Sequence, residues 1–163
     1  MIIRETPLDA VIKDSKAPLV SWSEKYATGV KLIDSQHLEL VNLTNSLYEA
    51  CLAGDNEVDT VFKDALSRMV EYVRFHFSAE LELLAKINYP AYPEHKKLHD
   101  ELVHNILEAA KEYDEGKRLV PNHFVRTLKD WVFGHIAIYD KEYAAYVADQ
   151  KSKGLLTDQM LEG

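Results

Sequence analysis

Five histidines and one glutamate occupy positions where helical spacing calls for apolar side chains: His37, His76, Glu80, His95, His99 and His135. A helix advances about 100° per residue, so four residues return to nearly the same face. His76 and Glu80 therefore lie side by side, as do His95 and His99. Burying that many imidazoles and a carboxylate without partners would cost several kcal/mol. A shared metal site removes the cost, because neutral imidazole nitrogens and carboxylate oxygens are its ligands. Imidazoles with carboxylate and no thiolate suit zinc, copper or non-haem iron. A mononuclear zinc site takes four ligands, fewer than this set supplies. A zincin protease is excluded because Lys96-Lys97 follows His95 where that motif has Glu. Ferritin-like sites use two Glu-x-x-His pairs, whereas Glu101 with His104 is the one match here. The residues thus point to a dinuclear, histidine-rich centre. His104 falls on a different face from His99, and His123 falls in the first turn of its helix, so neither is expected to take part.

These ligands need elements to hold them. Turn-like clusters at 53–56, 88–93 and 116–121 divide residues 31–153 into four segments, each far longer than a strand. Each carries a stripe at helical spacing. The first runs Ile33, His37, Leu40, Thr44, Leu47, Cys51. The second runs Val58, Phe62, Leu66, Met69, Val73, His76, Glu80, Leu84. The third has His95, His99, Leu102, Ile106 and Tyr113; the fourth has Phe124, Leu128, Trp131, His135 and Ile138. Asn56 with Asp59 resembles a helix start, Gly116 a stop and Pro121 a first helical position. Short connections make neighbouring helices antiparallel, so the expected fold is all-α: an antiparallel up-down-up-down four-helix bundle with an N-terminal arm. The expected divisions are an arm over 1–21, a bundle over 22–153 and a tail over 154–163. The arm is expected to pack over the bundle rather than serve as a docking segment. The tail reads equally as a docked turn or a frayed end.

Composition narrows the function classes. The chain has 163 residues and 18.7 kDa, 47% hydrophobic and 28% charged, which suits one globular domain. Its net charge of −8, with no basic patch, argues against nucleic acid. One cysteine, Cys51, calls for no oxidising compartment. No apolar run approaches the ~20 residues that span a bilayer, so no membrane insertion is expected. Acidic residues interrupt the first residues where a signal peptide would be apolar, and the expected location is the cytoplasm.

Several stretches together resemble the hemerythrins of bacterial type. They are Trp22; Gly29 to His37, ending Asp34-Ser-Gln-His37; His76-Phe77-x-x-Glu80; His95-x-x-x-His99; and His135-x-x-x-x-Asp140. The resemblance runs from about Trp22 to Tyr146. It implies two non-haem iron ions that bind O2 reversibly, bridged by an oxo or hydroxo group. Carried over, His95, His99 and His135 would hold one iron, His37 and His76 the other, and Glu80 and Asp140 would bridge them. O2 would bind at an open position on the two-histidine iron. Asp140 enters by resemblance alone: five residues from His135 is about 140° round an ideal helix, so a bulge or a long reach is needed. Phe77, Trp131, Val132 and Ile136 are expected around the O2 pocket, with Val132 where the family usually has Leu. The implied function is a non-enzymatic oxygen carrier or store, monomeric, with O2 as ligand and an O2-consuming enzyme as a possible recipient. The alternatives are an O2 or redox sensor module and a di-iron enzyme acting on peroxide or nitric oxide.

Overall fold

A computed structural model describes residues 17–52, 58–115 and 121–162. Asn56, Gly116 and residues 1–16 of the arm lie outside them. The helices are α1 (Lys31–Leu52), α2 (Val58–Lys86), α3 (Tyr92–Asp114), α4 (Pro121–His135), α5 (Lys141–Ser152) and the short α6 (Asp158–Leu161). A 3₁₀ turn over Glu24–Tyr26 precedes α1, and a π-helical turn over Ile136–Asp140 joins α4 to α5 as one rod. The long rods form the expected bundle: α1 packs on α2, α2 on α3, α3 on α4, and α4 closes back on α1. None of the described helices is long and apolar enough to cross a membrane.

The stripes explain the packing. Ile33, Leu40, Leu47, Phe62, Leu66, Met69, Val73, Leu84, Leu102, Ile106, Phe124 and Leu128 are all buried. They fall into two clusters. The larger holds Leu40, Val73, Leu102 and Val132; the smaller holds Ile33, Leu84, Tyr143 and Val147. Along α1, α2 and the last rod, the polar residues fall between the two: His37 between Ile33 and Leu40, His76 and Glu80 between Val73 and Leu84, and His135 and Asp140 between Val132 and Tyr143. Apolar layers above and below therefore enclose the polar one.

The fourth stripe departs from expectation. Ile138 is 58% exposed and Trp131 only half-buried. Trp131 lies in the regular helix before the π-turn, at the margin of the buried face. For Ile138 the π-turn is the cause. It places an extra residue in one turn, so the inward positions after His135 become Ile136, Asp140, Tyr143 and Val147. Cys51 and Tyr113, at stripe ends, are half-buried.

The described part of the arm packs on the bundle. Val20 is buried, and its N–H and C=O bond the Asn45 side chain at 3.0 and 2.8 Å. The tail is docked: α6 places Leu161 in the smaller cluster, 5% exposed. Gly154, at φ +71°, takes the left-handed conformation that ends α5.

Candidate metal centre

The turn before α1 is set by Asp34. Its carboxylate accepts from the Thr28 N–H at 2.6 Å, the Thr28 hydroxyl at 2.8 Å and the Gly29 N–H at 3.1 Å. Gly29 sits at φ +79°, where a side chain would be strained. This fastening holds the strap of residues 23–28 over α1 and presents the Tyr26 carbonyl to His37. His37 Nδ1 lies 3.0 Å from that oxygen, so Nδ1 carries the proton and Nε2 turns inward with a free lone pair. On α2, His76 Nδ1 lies 2.9 Å from Gln36 Oε1, with the same consequence.

The seven residues drawn from the sequence come together, all buried. One ligand atom from each of Glu80, His95, His99, His135 and Asp140 lies within 4.8 Å of the others, and the same holds for His37, His76, Glu80 and Asp140. Glu80 and Asp140 belong to both groups. Glu80 Oε2 is 3.3 Å from His95 Nε2 and 3.0 Å from His99 Nε2. Asp140 Oδ1 is 3.0 Å from His135 Nε2 and 3.4 Å from His95 Nε2, and its Oδ2 is 3.3 Å from His37 Nε2. The π-turn makes this possible by rotating Asp140 onto the face of His135. His104 and His123 are exposed and stand apart, as expected.

Two features fit this cluster to cations. His37 Nε2, His76 Nε2 and both Asp140 oxygens are buried without a hydrogen-bond partner, as is His99 Nδ1. His99 Nε2 and His135 Nε2 face each other at 3.0 Å, and at most one of two neutral rings can supply a proton there. Lone pairs converging on lone pairs and carboxylates are satisfied by a positive ion.

The electrostatics agree. Burial holds the His76 imidazole down at about 4, outweighing the attraction of Glu80, so it is neutral near pH 7 and able to ligate. Burial also lowers His99, against the pull of Glu80. Burial alone would lower His37, but the Asp140 carboxylate 3.3 Å away raises it. Burial works against ionising Glu80, yet the bonds from His95 and His99 hold it well below the usual range. For Asp140, burial and the charge of Glu80 are outweighed by the adjacent His135 and His37 nitrogens, and the net shift is downward.

Two residues that ligand spacing did not assign support the carboxylates and rings. The buried Tyr143 hydroxyl donates a short hydrogen bond to Glu80 Oε1, and burial followed by the charge of Glu80 pushes its own ionisation well above the usual value. Gln36, 4% exposed, accepts from His76. Tyr143 is detectable only once Asp140 is taken as inward, three residues earlier. Gln36 adjoins His37 and carries no periodic signal.

The expected pocket residues divide. The Phe77 ring stacks on His99 at 3.7 Å between centroids and 4° between planes, and stands 5.7 and 5.8 Å from His76 and His135. Val132 and Ile136, each 1% exposed, flank His135 within the same apolar cluster. Trp131 packs at the margin of that cluster. Phe133 packs on Tyr26, with ring centroids 5.2 Å apart.

A helical bundle with two overlapping histidine groups and two shared carboxylates defines a class of buried metal-binding bundle. The chain belongs to the hemerythrin family: the family model described as Hemerythrin HHE cation binding domain matches residues 28–147. It is 29% identical over 126 residues to a bacteriohemerythrin of Methylococcus capsulatus, covering 77% of this chain and 94% of that one. It is 32% identical over 129 residues to a bacteriohemerythrin of Clostridium acetobutylicum, covering 75% and 96%. A crystal structure of wild-type hemerythrin superposes with a TM-score of 0.70 at 28% identity, covering 78% of this chain and 96% of that one.

Proposed function

We propose that the chain binds O2 reversibly at two non-haem iron ions. His95, His99 and His135 would hold one, His37 and His76 the other, and Glu80 and Asp140 both. The observation that carries this reading is the sharing of two buried carboxylates by a three-histidine group and a two-histidine group. When bound, a ferrous pair supplies two electrons and a coordination position for O2.

The chain's own residues make such binding reversible. Tyr26 and Gln36 hold the His37 and His76 rings with Nε2 inward, so neither ring turns to ligate. Two carboxylates against five neutral imidazoles leave much of the charge of two divalent ions uncompensated, which disfavours higher oxidation states. Phe77, Val132 and Ile136 exclude water from the rings they adjoin, and dryness protects against loss of the ligand as a protonated species. Tyr143 holds Glu80 in place through its Oε1. The reading is a carrier or store, monomeric and cytoplasmic, with O2 as its ligand and an oxygen-consuming enzyme as a possible recipient.

The test is anaerobic loading with ferrous iron, metal analysis, and an optical spectrum before air, after air and after degassing. Iron near two per chain is expected, with a visible absorption that air brings and degassing removes. A single zinc per chain, or a spectrum that degassing does not restore, would refute the proposal.

A further inference from the structure

We propose that Lys141 is a positioning residue for the two-histidine side of the cluster: its ammonium clamps the 23–28 strap so that the Tyr26 carbonyl holds His37 with Nδ1 protonated and Nε2 inward. The proposal rests on the metal-binding reading above and assigns a residue that ligates nothing.

Lys141 Nζ lies 3.0 Å from the Glu24 carbonyl and 2.5 Å from the Ala27 carbonyl. These two oxygens flank Tyr26 in sequence. Between them the strap makes one short 3₁₀ turn, with Tyr26 N–H bonded to Ser23 O at 2.9 Å and Ala27 N–H to Glu24 O at 3.1 Å. So short a turn is not self-supporting in water. Its other fasteners are Asp34, which grips residues 28 and 29, and the Tyr26 ring against Phe133. Phe133 and Lys141 both tie the strap to the rod that carries Asp140, and of these fasteners Lys141 is the one that bonds the carbonyls on either side of Tyr26. An ammonium suits the task, since it offers several N–H donors and forms charge-assisted bonds to carbonyl oxygens.

The need for a clamp lies in the difference between the two histidines. His76 is oriented by a buried side chain, Gln36, anchored on α1. His37 is oriented by a main-chain carbonyl on a strap outside the bundle. If that carbonyl moves, His37 can take the other tautomer and present an N–H to Asp140 instead of a lone pair. The π-turn makes one segment serve both ends: it turns Asp140 inward and leaves Lys141, the next residue, directed at the strap.

The experiment compares the parent, Lys141→Met and Lys141→Arg as full-length, metal-free chains, with cobalt(II) as the probe, followed by calorimetry and visible absorption. The parent should show two successive binding events. Lys141→Met should weaken one by up to about 10-fold, the lower end of what losing the direct partner of a ligating histidine costs, because the Tyr26 carbonyl stays in the chain but is no longer held, and leave the other unchanged. Lys141→Arg, which keeps charge and donors, should restore most of the loss. A second readout needs no metal: the ¹⁵N shifts of the His37 ring on the high-pH plateau where they no longer change with pH, so that the neutral ring is observed. The parent should show the proton on Nδ1 alone and Lys141→Met a mixture of tautomers. Equal weakening of both events, or an unchanged tautomer in Lys141→Met, would overturn the clamp. If the parent takes up no cobalt, the metal reading fails while the tautomer comparison still decides the clamp. Should Lys141→Met not fold, Lys141→Gln, uncharged and shorter with two neutral amide N–H donors, replaces it in both measurements and should show a smaller change of the same sign.

Discussion

Replacing Asp140 by Asn should change the stability of the metal-free chain in opposite directions at pH 5.5 and at a pH above the folded value of His37. Asp140 is fully buried, and its two oxygens meet only imidazole nitrogens: His135 at 3.0 Å, His37 at 3.3 Å and His95 at 3.4 Å. Its carboxyl is held below the usual value despite burial and the charge of Glu80, because the His135 and His37 nitrogens lie against the anion. Its stabilisation is therefore present above the unfolded value and lost as pH falls through the folded one. His37 has a raised value, so its contribution is complete below its unfolded value and is lost as pH rises through the folded one. The pair therefore stabilises the chain in the window between the two groups' values. At pH 5.5, Asp140→Asn breaks a buried ion pair at a cost of about 3 kcal/mol. For a chain of this length that lowers Tm by about 6–12 °C. Above the folded value of His37 the Nε2 proton is gone and the anion faces lone pairs. Removing its charge should then return about 1–2 kcal/mol, a rise of about 2–8 °C. Scanning calorimetry of chelator-treated parent and variant at both pH values reads the effect, and metal analysis after iron loading should show at least one iron lost. His104→Ala, at an exposed position, should do neither. The same sign at both pH values, or both irons retained in Asp140→Asn, would refute the reasoning.

Tyr143→Phe removes the hydroxyl that donates to Glu80 Oε1 at a fully buried position, and a lost bond to a charged group costs about 1.5–3 kcal/mol; thermal unfolding should show a Tm lower by about 3–12 °C, and an unchanged Tm would mean that Glu80 is held without it. Val132→Leu adds a methylene beside His135, where Val132 is 1% exposed, so it should slow decay of the oxygenated spectrum in air at about 1–3 kcal/mol of overpacking. Equal or faster decay at matched pH and temperature would show that Val132 does not govern water access.

What the sequence disclosed followed from strict periodicity. Apolar residues recurring every three or four positions defined the inward faces of α1, α2 and α3, and the pairs His76–Glu80 and His95–His99 stood out because four residues complete nearly one turn. What it concealed depended on departures from that period or on contacts remote in the chain. Counted from His135 on an ideal helix, Asp140 is about 140° away and Tyr143 about 80° away, so periodicity alone supplied neither. Leu161 found its seat through the tertiary arrangement of α1, α2 and α5, which no local pattern in the tail encodes. The bonds from Lys141 to the strap span more than a hundred residues of sequence.

The concealed placements of Asp140, Tyr143 and Lys141 share one origin in the last rod. π-helical turns are rare and are frequent at functional sites, and the extra residue disturbs a regular ladder of hydrogen bonds. Here that residue moves Ile138 out to solvent, which loses apolar burial, and turns Asp140 into the cluster, which places a carboxylate among imidazoles. Neither change favours the fold by itself. A regular helix would follow the stripe as the sequence suggests and keep Ile138 on the inward face. The π-turn is intelligible as a local sacrifice of packing that brings a second shared carboxylate onto the face of His135, and the sacrifice is offset when a cation occupies the space between them.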